Sequence, residues 1–419
     1  MLEEIRNGKY DERLREIYVD EAVLSYQRER YAKTVESFYE KYGKGDIEIY
    51  SAPGRSEIGG NHTDHQHGEV LAASINLDAI AVVRPASDGI IRMYSEGYGE
   101  CVVDTEKCVP VSSEEGTTLS LIKGVVAGFE ERGFKVGGYT AYVTSDVLGG
   151  AGLSSSAAYE VLVGTILSGL YNNMEVSPVV IAQVAQFAEN KFFGKPCGLM
   201  DQMASSVGNL IHIDFKDPKD PVIEKVDADF ESFGVSLCIV DTKGDHKDLT
   251  PDYAAIPSEM KAVAKELGCE VLRDVDEAEF TKKMPVLREK LGDRPLLRAI
   301  HFFNEDRRVR GQVKALKEGD YAEFARLIKA SGDSSFKFLQ NVYTSSDVMN
   351  QAVSMGLAVS EDVLAGRGVS RVHGGGFAGT IQAFVPNEVV PEYKAALDAL
   401  FGEGSCHVLK VRPYGGIRF

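Results

Sequence analysis

The 419-residue sequence predicts an α+β fold in two domains. Strand-like and helix-like stretches come in segregated runs, without the strict βαβα alternation of a doubly wound sheet. The length suits two domains at roughly 100–200 residues each. A Pro/Asp/Lys loop around FKDPKDP, within 215–230, offers a boundary, so the domains are expected at 1–220 and 221–419.

Residues 1–43 carry apolar side chains at helical intervals among many charges and read as amphipathic helix. From Ile47 to about Ser95 the pattern turns to β in IEIYSAPG, VLAASINLDAIAVVRPA and IIRMYSE, with Gly and Asp turns between them. TLSLIKGVVAGFEER, 118–132, reads as a helix that Gly133 stops. GGYTAYVTSDV is a strand leading into GGAGLSSSAAYEVLVGTILSGLY, where Ala158, Leu162, Ile166 and Leu170 fall on one helical face. A further helix is expected over about 177–193, ending before Gly194 and Pro196. NLIHIDF and VSLCIVDT are short strands, and 255–359 is mostly helical. The remainder is β-rich: GVSRVHGGGFAGTIQAFV, a helix near 390–402, and CHVLKVRPY.

Sixty-three acidic against 46 basic residues give a net charge of −17. That balance excludes a general nucleic-acid binder, which needs cationic phosphate contacts, and a protein resting on an anionic membrane. It does not exclude an anionic small ligand, because binding is local. No run of 18 apolar residues and no secretory leader pattern is present, and the six cysteines are scattered without a C-x-x-C pair. Reduced thiols and a cytoplasmic location are expected.

The most informative stretch is Thr144 to Ala158, where a strand feeds a loop holding Gly149, Gly150 and Gly152, and Ser154, Ser155 and Ser156 open a helix. Glycines let a backbone approach a ligand closely, and a helix N-terminus offers unpaired N–H groups to an anion. A phosphate site is the favoured reading over a plain serine cap, although no G-x-x-x-x-G-K-[ST] loop occurs. Gly374-Gly-Gly-Phe-Ala-Gly379 matches G-x-G-x-x-G literally, but the β-like TIQAFV follows it where a dinucleotide fingerprint would open a helix. What survives is a tight glycine turn between strands. Arg55, Glu57, Asn61, His62, Asp64, His65 and His67 crowd into GRSEIGGNHTDHQHG. A substrate-binding loop, a solvated polar loop and a metal site are all open to that cluster. In PCGLMDQ, Asp201 stands in an apolar turn twelve residues after Glu189, so an acid to take a hydroxyl proton and another to hold Mg²⁺ would complete a phosphotransfer site.

Together APGRSEIGGNHTDHQHG, VLGGAGLSSSAA, PCGLMDQ and SRVHGGGFAGT closely resemble the GHMP small-molecule kinases, and the first and PCGLMDQ resemble galactokinases in particular. The helical stretch RAIHFFNEDRRVRGQVKALKEGDYAEFARLI looks like the galactokinase pattern too. The resemblance implies a two-domain GHMP kinase-like fold with its active site at the domain interface. It implies transfer of the γ-phosphoryl of MgATP to the anomeric hydroxyl of a galactose-type sugar. Carried over by position, Asp201 resembles the catalytic base and Arg55 its charge-stabilising partner, while Ser156 and Glu189 match Mg²⁺ ligands. Gly149, Gly150, Gly152, Leu153, Ser154, Ser155 and Ser156 would cradle ATP. Gly374, Gly375, Gly376 and Phe377 would line the sugar and phosphate region. Asn61, His62, Asp64 and Gly198 match sugar-contacting positions, and Tyr253 does so more loosely. A monomer or weak dimer is expected.

Two positions depart from the galactokinase pattern: Asn61 stands where the family carries Glu, and Glu57 where it usually has a neutral residue. Asn61 is expected to serve the same sugar hydroxyl. The missing charge would otherwise relieve repulsion against a carboxylate-bearing sugar, which keeps galacturonate in view as a competing substrate beside N-acetylgalactosamine. A non-catalytic galactose/ATP sensor and a metallohydrolase built on the His cluster are the competing classes. The intact serine-rich loop and Asp201 argue against the sensor.

Overall fold

The computed structural model describes residues 1–147, 149, 152–195, 197–244, 249–377 and 379–419, with the Thr250 side chain left out. Two sheets organise it. The larger runs β12-β1-β2-β5-β3-β4, with β6 paired to β2 and β7 to β6; the smaller runs β11-β8-β10-β9. Their strands are β1 Glu48–Gly59, β2 Glu69–Ala86, β3 Ile90–Ser95, β4 Gly99–Asp104, β5 Gly138–Ser145, β6 Leu210–Asp214, β7 Val222–Lys225, β8 Val235–Asp241, β9 Val369–His373, β10 Thr380–Pro386, β11 Cys406–Leu409 and β12 Ile417–Arg418. All pairings are antiparallel except β3 with β5.

β1 and β2 are buried along nearly their whole length. Both faces are covered, which is why their sequences read as continuous apolar runs instead of alternating ones. On one face Tyr50, Ala52, Ala81, Val83, Met93 and Tyr139 pack against Val125, Phe129, Leu162, Ile166 and Val184 of the helices Thr118–Glu131, Ser155–Asn172 and Pro178–Ala188. On the other, Ile49, Ile80 and Val82 meet Ile17, Tyr31, Val35 and Phe38 of the N-terminal helices. A further core joins the sheets: Leu71, Ala73 and Ile75 from β2, Leu237 and Ile239 from β8, and Val309, Val313 and Ile328 from the helices Asp293–Lys317 and Tyr321–Ser334.

Several expectations are refined. The stretch 1–43 is three α-helices, Leu2–Arg6, Asp11–Tyr18 and Leu24–Tyr42. Val19 turns left-handed at φ 53 and ends the second, and the Asp20 carboxylate then caps the next turn through the Ala22 N–H at 2.9 Å. The 177–193 helix is Pro178–Ala188 followed by a π-helical turn, Glu189–Phe193. β7 still pairs within the large sheet and β8 opens the small one, so the chain crosses between sheets after Lys225, a few residues beyond 220. The final strand, β12, returns to the large sheet beside β1.

Candidate active site

The pairing of β1 with β2 slips twice, between Pro53 and Arg55 and again between Glu57 and Gly59. Such bulges bend a strand and re-aim its side chains. Here they bracket Arg55 and Glu57, which both face a cavity of about 250 Å³ that His62, Asp64, His65, Lys195, Cys197, Gly198, Met200, Asp201, Gly374 and Gly375 also line.

Arg55 holds Asp201 by two bonds, Nε to Oδ1 at 2.6 Å and Nη2 to Oδ2 at 2.8 Å, the bidentate geometry that suits guanidinium and carboxylate. The third nitrogen, Nη1, donates to the Gly152 carbonyl of the glycine-rich loop. Ser154 donates its hydroxyl to Asp201 Oδ2 at 2.5 Å. Burial by itself would raise the Asp201 pKa, but the Arg55 charge and the donated hydrogen bonds win and hold it below the ordinary value. Asp201 is therefore a carboxylate at neutral pH. Asp64 behaves oppositely: burial and the neighbouring Asp201 charge push it up to about 6. Burial also lowers His62 to about 4, so its imidazole is neutral at pH 7.

The serine-rich segment opens the helix Ser155–Asn172 with Ser154 left-handed at φ 59, a conformation rare for a residue with a Cβ. Leu153 buries its side chain in the core between the sheets, and its carbonyl accepts the Arg55 N–H at 3.2 Å. Gly149 is exposed on the loop, while Gly150 lies outside the described residues. Ser155 is the first residue of the helix. Ser156 donates to Glu189 Oε1 at 3.3 Å, and Lys195 Nζ stands 3.1 Å from the same oxygen. Gln202 donates to Glu189 Oε2 at 2.8 Å. A hydroxyl and a carboxylate at a helix start are hard oxygen donors. They fit Mg²⁺, which uses few protein ligands and completes its shell with phosphate and water. Among the described residues no group of three or more His, Cys, Asp or Glu is arranged to hold a metal ion. Two of the crowded histidines bond to protein atoms: His62 Nε2 lies 3.2 Å from the Gly375 carbonyl and His65 Nε2 lies 3.4 Å from His62 Nδ1.

The glycine segment after β9 is the expected turn between two strands. The Gly374 carbonyl accepts from Asn61 Nδ2 at 2.7 Å, the Gly376 carbonyl from the Tyr253 hydroxyl at 2.9 Å, and Phe377 N–H donates to the Asn341 carbonyl at 2.6 Å. Tyr253 sits edge-on to Phe377, 5.1 Å between ring centroids, so both brace the turn. Neither is part of the cavity wall. Gly198 is in the wall, so close to Asp64 that a Cβ there would fall 1.6 Å from its Oδ2.

Asn61 departs from expectation. It is fully buried, and its amide is spent on protein at both ends: Nδ2 on Glu57 Oε1 at 3.0 Å and on Gly374, Oδ1 on Asn341 Nδ2 at 2.9 Å. Glu57 is the member of that pair on the cavity wall. Sequence reasoning also passed over Lys195 and His373. The latter accepts the Glu57 N–H at Nε2, 3.0 Å away, and ties β9 to β1. A histidine beside a glycine run was the only signal for it.

Comparison with known proteins bears on the family. Residues 36–85 match the galactokinase galactose-binding signature, and 120–209 match the N-terminal domain of GHMP kinases. The galactokinase of Thermotoga petrophila is 32% identical over 362 residues, 84% of this chain and 96% of that protein. The galactokinase of Streptomyces coelicolor is 29% identical over 388 residues, 91% of this chain and 97% of its own. Among solved structures, the galactose complex of Lactococcus lactis galactokinase superposes with a TM-score of 0.79 at 24% identity, covering 93% of this chain and 100% of that one. The Methanococcus jannaschii mevalonate kinase shares the fold at a TM-score of 0.60 and 15% identity, covering 88% and 99%. An arginine-clamped aspartate, a serine-led helix start and a glycine turn thus meet on a GHMP kinase fold, and the sequence relatives narrow the assignment further: this chain belongs to the galactokinase family.

Proposed function

We propose that the chain transfers the γ-phosphoryl group of MgATP to the anomeric hydroxyl of galactose, giving galactose 1-phosphate and ADP. The observation that carries this is Asp201, held ionised by Arg55 and Ser154 in the wall of a sugar-sized cavity. Phosphoryl transfer asks little covalent work of a protein, so positioning and charge stabilisation dominate. His62 and Asp64 would hydrogen-bond sugar hydroxyls and turn the anomeric oxygen toward Asp201. As that oxygen bonds to phosphorus and the bond to ADP breaks, its proton passes to the Asp201 carboxylate. A carboxylate of lowered pKa is a weak base, which suits a proton that leaves late, when the oxygen has become acidic. Arg55 stays charged throughout and stabilises the equatorial oxygens of the group in flight.

ATP would lie over the glycine-rich loop, with phosphate oxygens on the N–H groups at the start of Ser155–Asn172. Ser156 and Glu189 would hold Mg²⁺, which neutralises phosphate charge when bound. Lys195, with Glu189 as its ion-pair partner and its own side chain 63% exposed, adds a cation at the same place.

An ADP-release assay over galactose, galacturonate, N-acetylgalactosamine, glucose and arabinose tests the reading. Galactose should give the highest kcat/KM. A higher value for galacturonate, or galactose binding without ADP release, overturns it.

A further inference from the structure

Glu57 was the unexplained acid of the first motif. It lies on β1 between the two bulges, its side chain only 4% exposed, and its carboxylate reaches the cavity. Arg371 on β9 supports it from behind, donating from Nη2 to Glu57 Oε1 at 3.0 Å and to its carbonyl at 2.7 Å. Asn61 supports it from the side, Nδ2 lying 3.0 Å and 3.3 Å from the two carboxylate oxygens. The amide cannot be reversed: its Oδ1 already accepts from Asn341 at 2.9 Å, and the Gly374 carbonyl needs an N–H. The Ser335 hydroxyl donates to the same Oδ1 at 3.4 Å, so Asn61 has no hydrogen-bonding capacity left for a ligand. A second carboxylate at position 61 would face Glu57 and the Gly374 carbonyl, three acceptors with no proton among them. Acid at 57 and amide at 61 are thus one unit, fixed four residues apart.

We propose that Glu57 is a specificity-determining residue that accepts a hydrogen bond from a sugar hydroxyl other than the one phosphorylated, and that its charge turns away sugars bearing a carboxylate. The inference rests on the galactose-kinase reading above. It reverses what position 61 alone suggests: the cavity keeps its acid on a different residue, whose pKa burial raises against the pull of Arg371 and Arg55. Glu57 joins Asp64 and Asp201 in the wall, where Arg55 is already spent on Asp201 and Lys195 on Glu189, so a uronate carboxylate seated by Glu57 would meet repulsion at close range.

Glu57→Gln removes the charge and keeps the shape. With the full-length enzyme, kcat and KM are measured for galactose and for 2-, 3-, 4- and 6-deoxygalactose, alongside galacturonate. Losing a charge-assisted hydrogen bond should raise the galactose KM about 10- to 100-fold. One deoxy sugar should be poor with the native enzyme and no poorer than galactose with the variant, the coupling that marks a direct contact. The discrimination between galactose and galacturonate should narrow by at least tenfold. Equal losses across all deoxy sugars would reduce Glu57 to a structural role and sink the proposal. If Glu57→Gln does not fold, Glu57→Asp, which keeps the charge but draws it back, should weaken the same single deoxy-sensitive contact. Failure of the native enzyme to phosphorylate any galactose would instead overturn the functional reading itself.

Discussion

Asp64 and Asp201 share one cavity yet titrate in opposite directions, and each shift has a consequence. Asp64 is raised to about 6, first by burial, then by the Asp201 charge, with Glu57 adding to it and Arg55 opposing. Lys195 and the neutral His62 share the same wall. If the Asp64 carboxylate accepts from galactose, kcat/KM for galactose should climb as pH rises through about 6 and level off above it, and Asp64→Asn should flatten that limb. The stability sign is the reverse. A folded pKa above the unfolded value means the native state binds the extra proton, so the group costs stability as pH rises from about 4 to 6, at most about 3 kcal/mol. Thermal melts should show Asp64→Asn gaining on the native protein at pH 7.5 but not at pH 4.5. Asp201→Asn should cost about 10²- to 10⁴-fold in turnover while galactose and ATP still bind, as rates and calorimetry would report. A variant keeping most of kcat would remove Asp201 from its role. Both acids were singled out in the sequence by the resemblance of GGNHTDHQHG and PCGLMDQ to galactokinase motifs, and the structure brings them to one cavity wall. The role of Glu57 was not legible, because its orientation depends on bulges and on Arg371, 314 residues away.

Among the elements, the glycine turn between β9 and β10 does most to assemble the cavity. Its carbonyls receive Asn61, His62 and Tyr253, and it presses so closely on its neighbours that a Cβ at Gly376 would fall 2.0 Å from the Asn341 carbonyl oxygen. Gly376 also sits at φ +86. Gly376→Ala should therefore lower the melting temperature by about 2 °C or more, from backbone strain plus a clash that only main-chain movement relieves. The galactose KM should rise with it, read in the same ADP assay. The turn itself was readable from glycines flanked by two β-like runs. The helix break after Tyr18 was not, because Val19, 46% exposed, carries no local signal for the left-handed conformation it adopts. Nor was β12, too short to show a pattern of its own. Position along the chain hides what pairing makes plain.

At the scale of the whole molecule, one buried charge network ties distant segments together. Asp78 on β2, wholly buried, accepts from Arg30 of the Leu24–Tyr42 helix at 2.7 Å, from Arg412 at 2.7 Å, from Tyr18 at 2.8 Å and from Ser51 at 2.5 Å. Breaking such a site leaves buried cations without their counter-charge, so Asp78→Asn should cost about 3–5 kcal/mol in denaturant unfolding. Activity at low temperature should survive, since Asp78 is not on the cavity wall. The arginines hold the Asp78 pKa below its ordinary value against the opposing pull of burial. Its contribution is thus present above about pH 4 and lost as pH falls further. The same reach across the chain shapes how the protein folds. β1 carries Arg55 and Glu57, yet one of its edges is covered by Ile417 and Arg418, opposite Ser51 and Tyr50. Closing that edge brings together residues about 366 positions apart, a contact that forms only after a long loop has been closed, so the pairing beside this strand is expected late in folding.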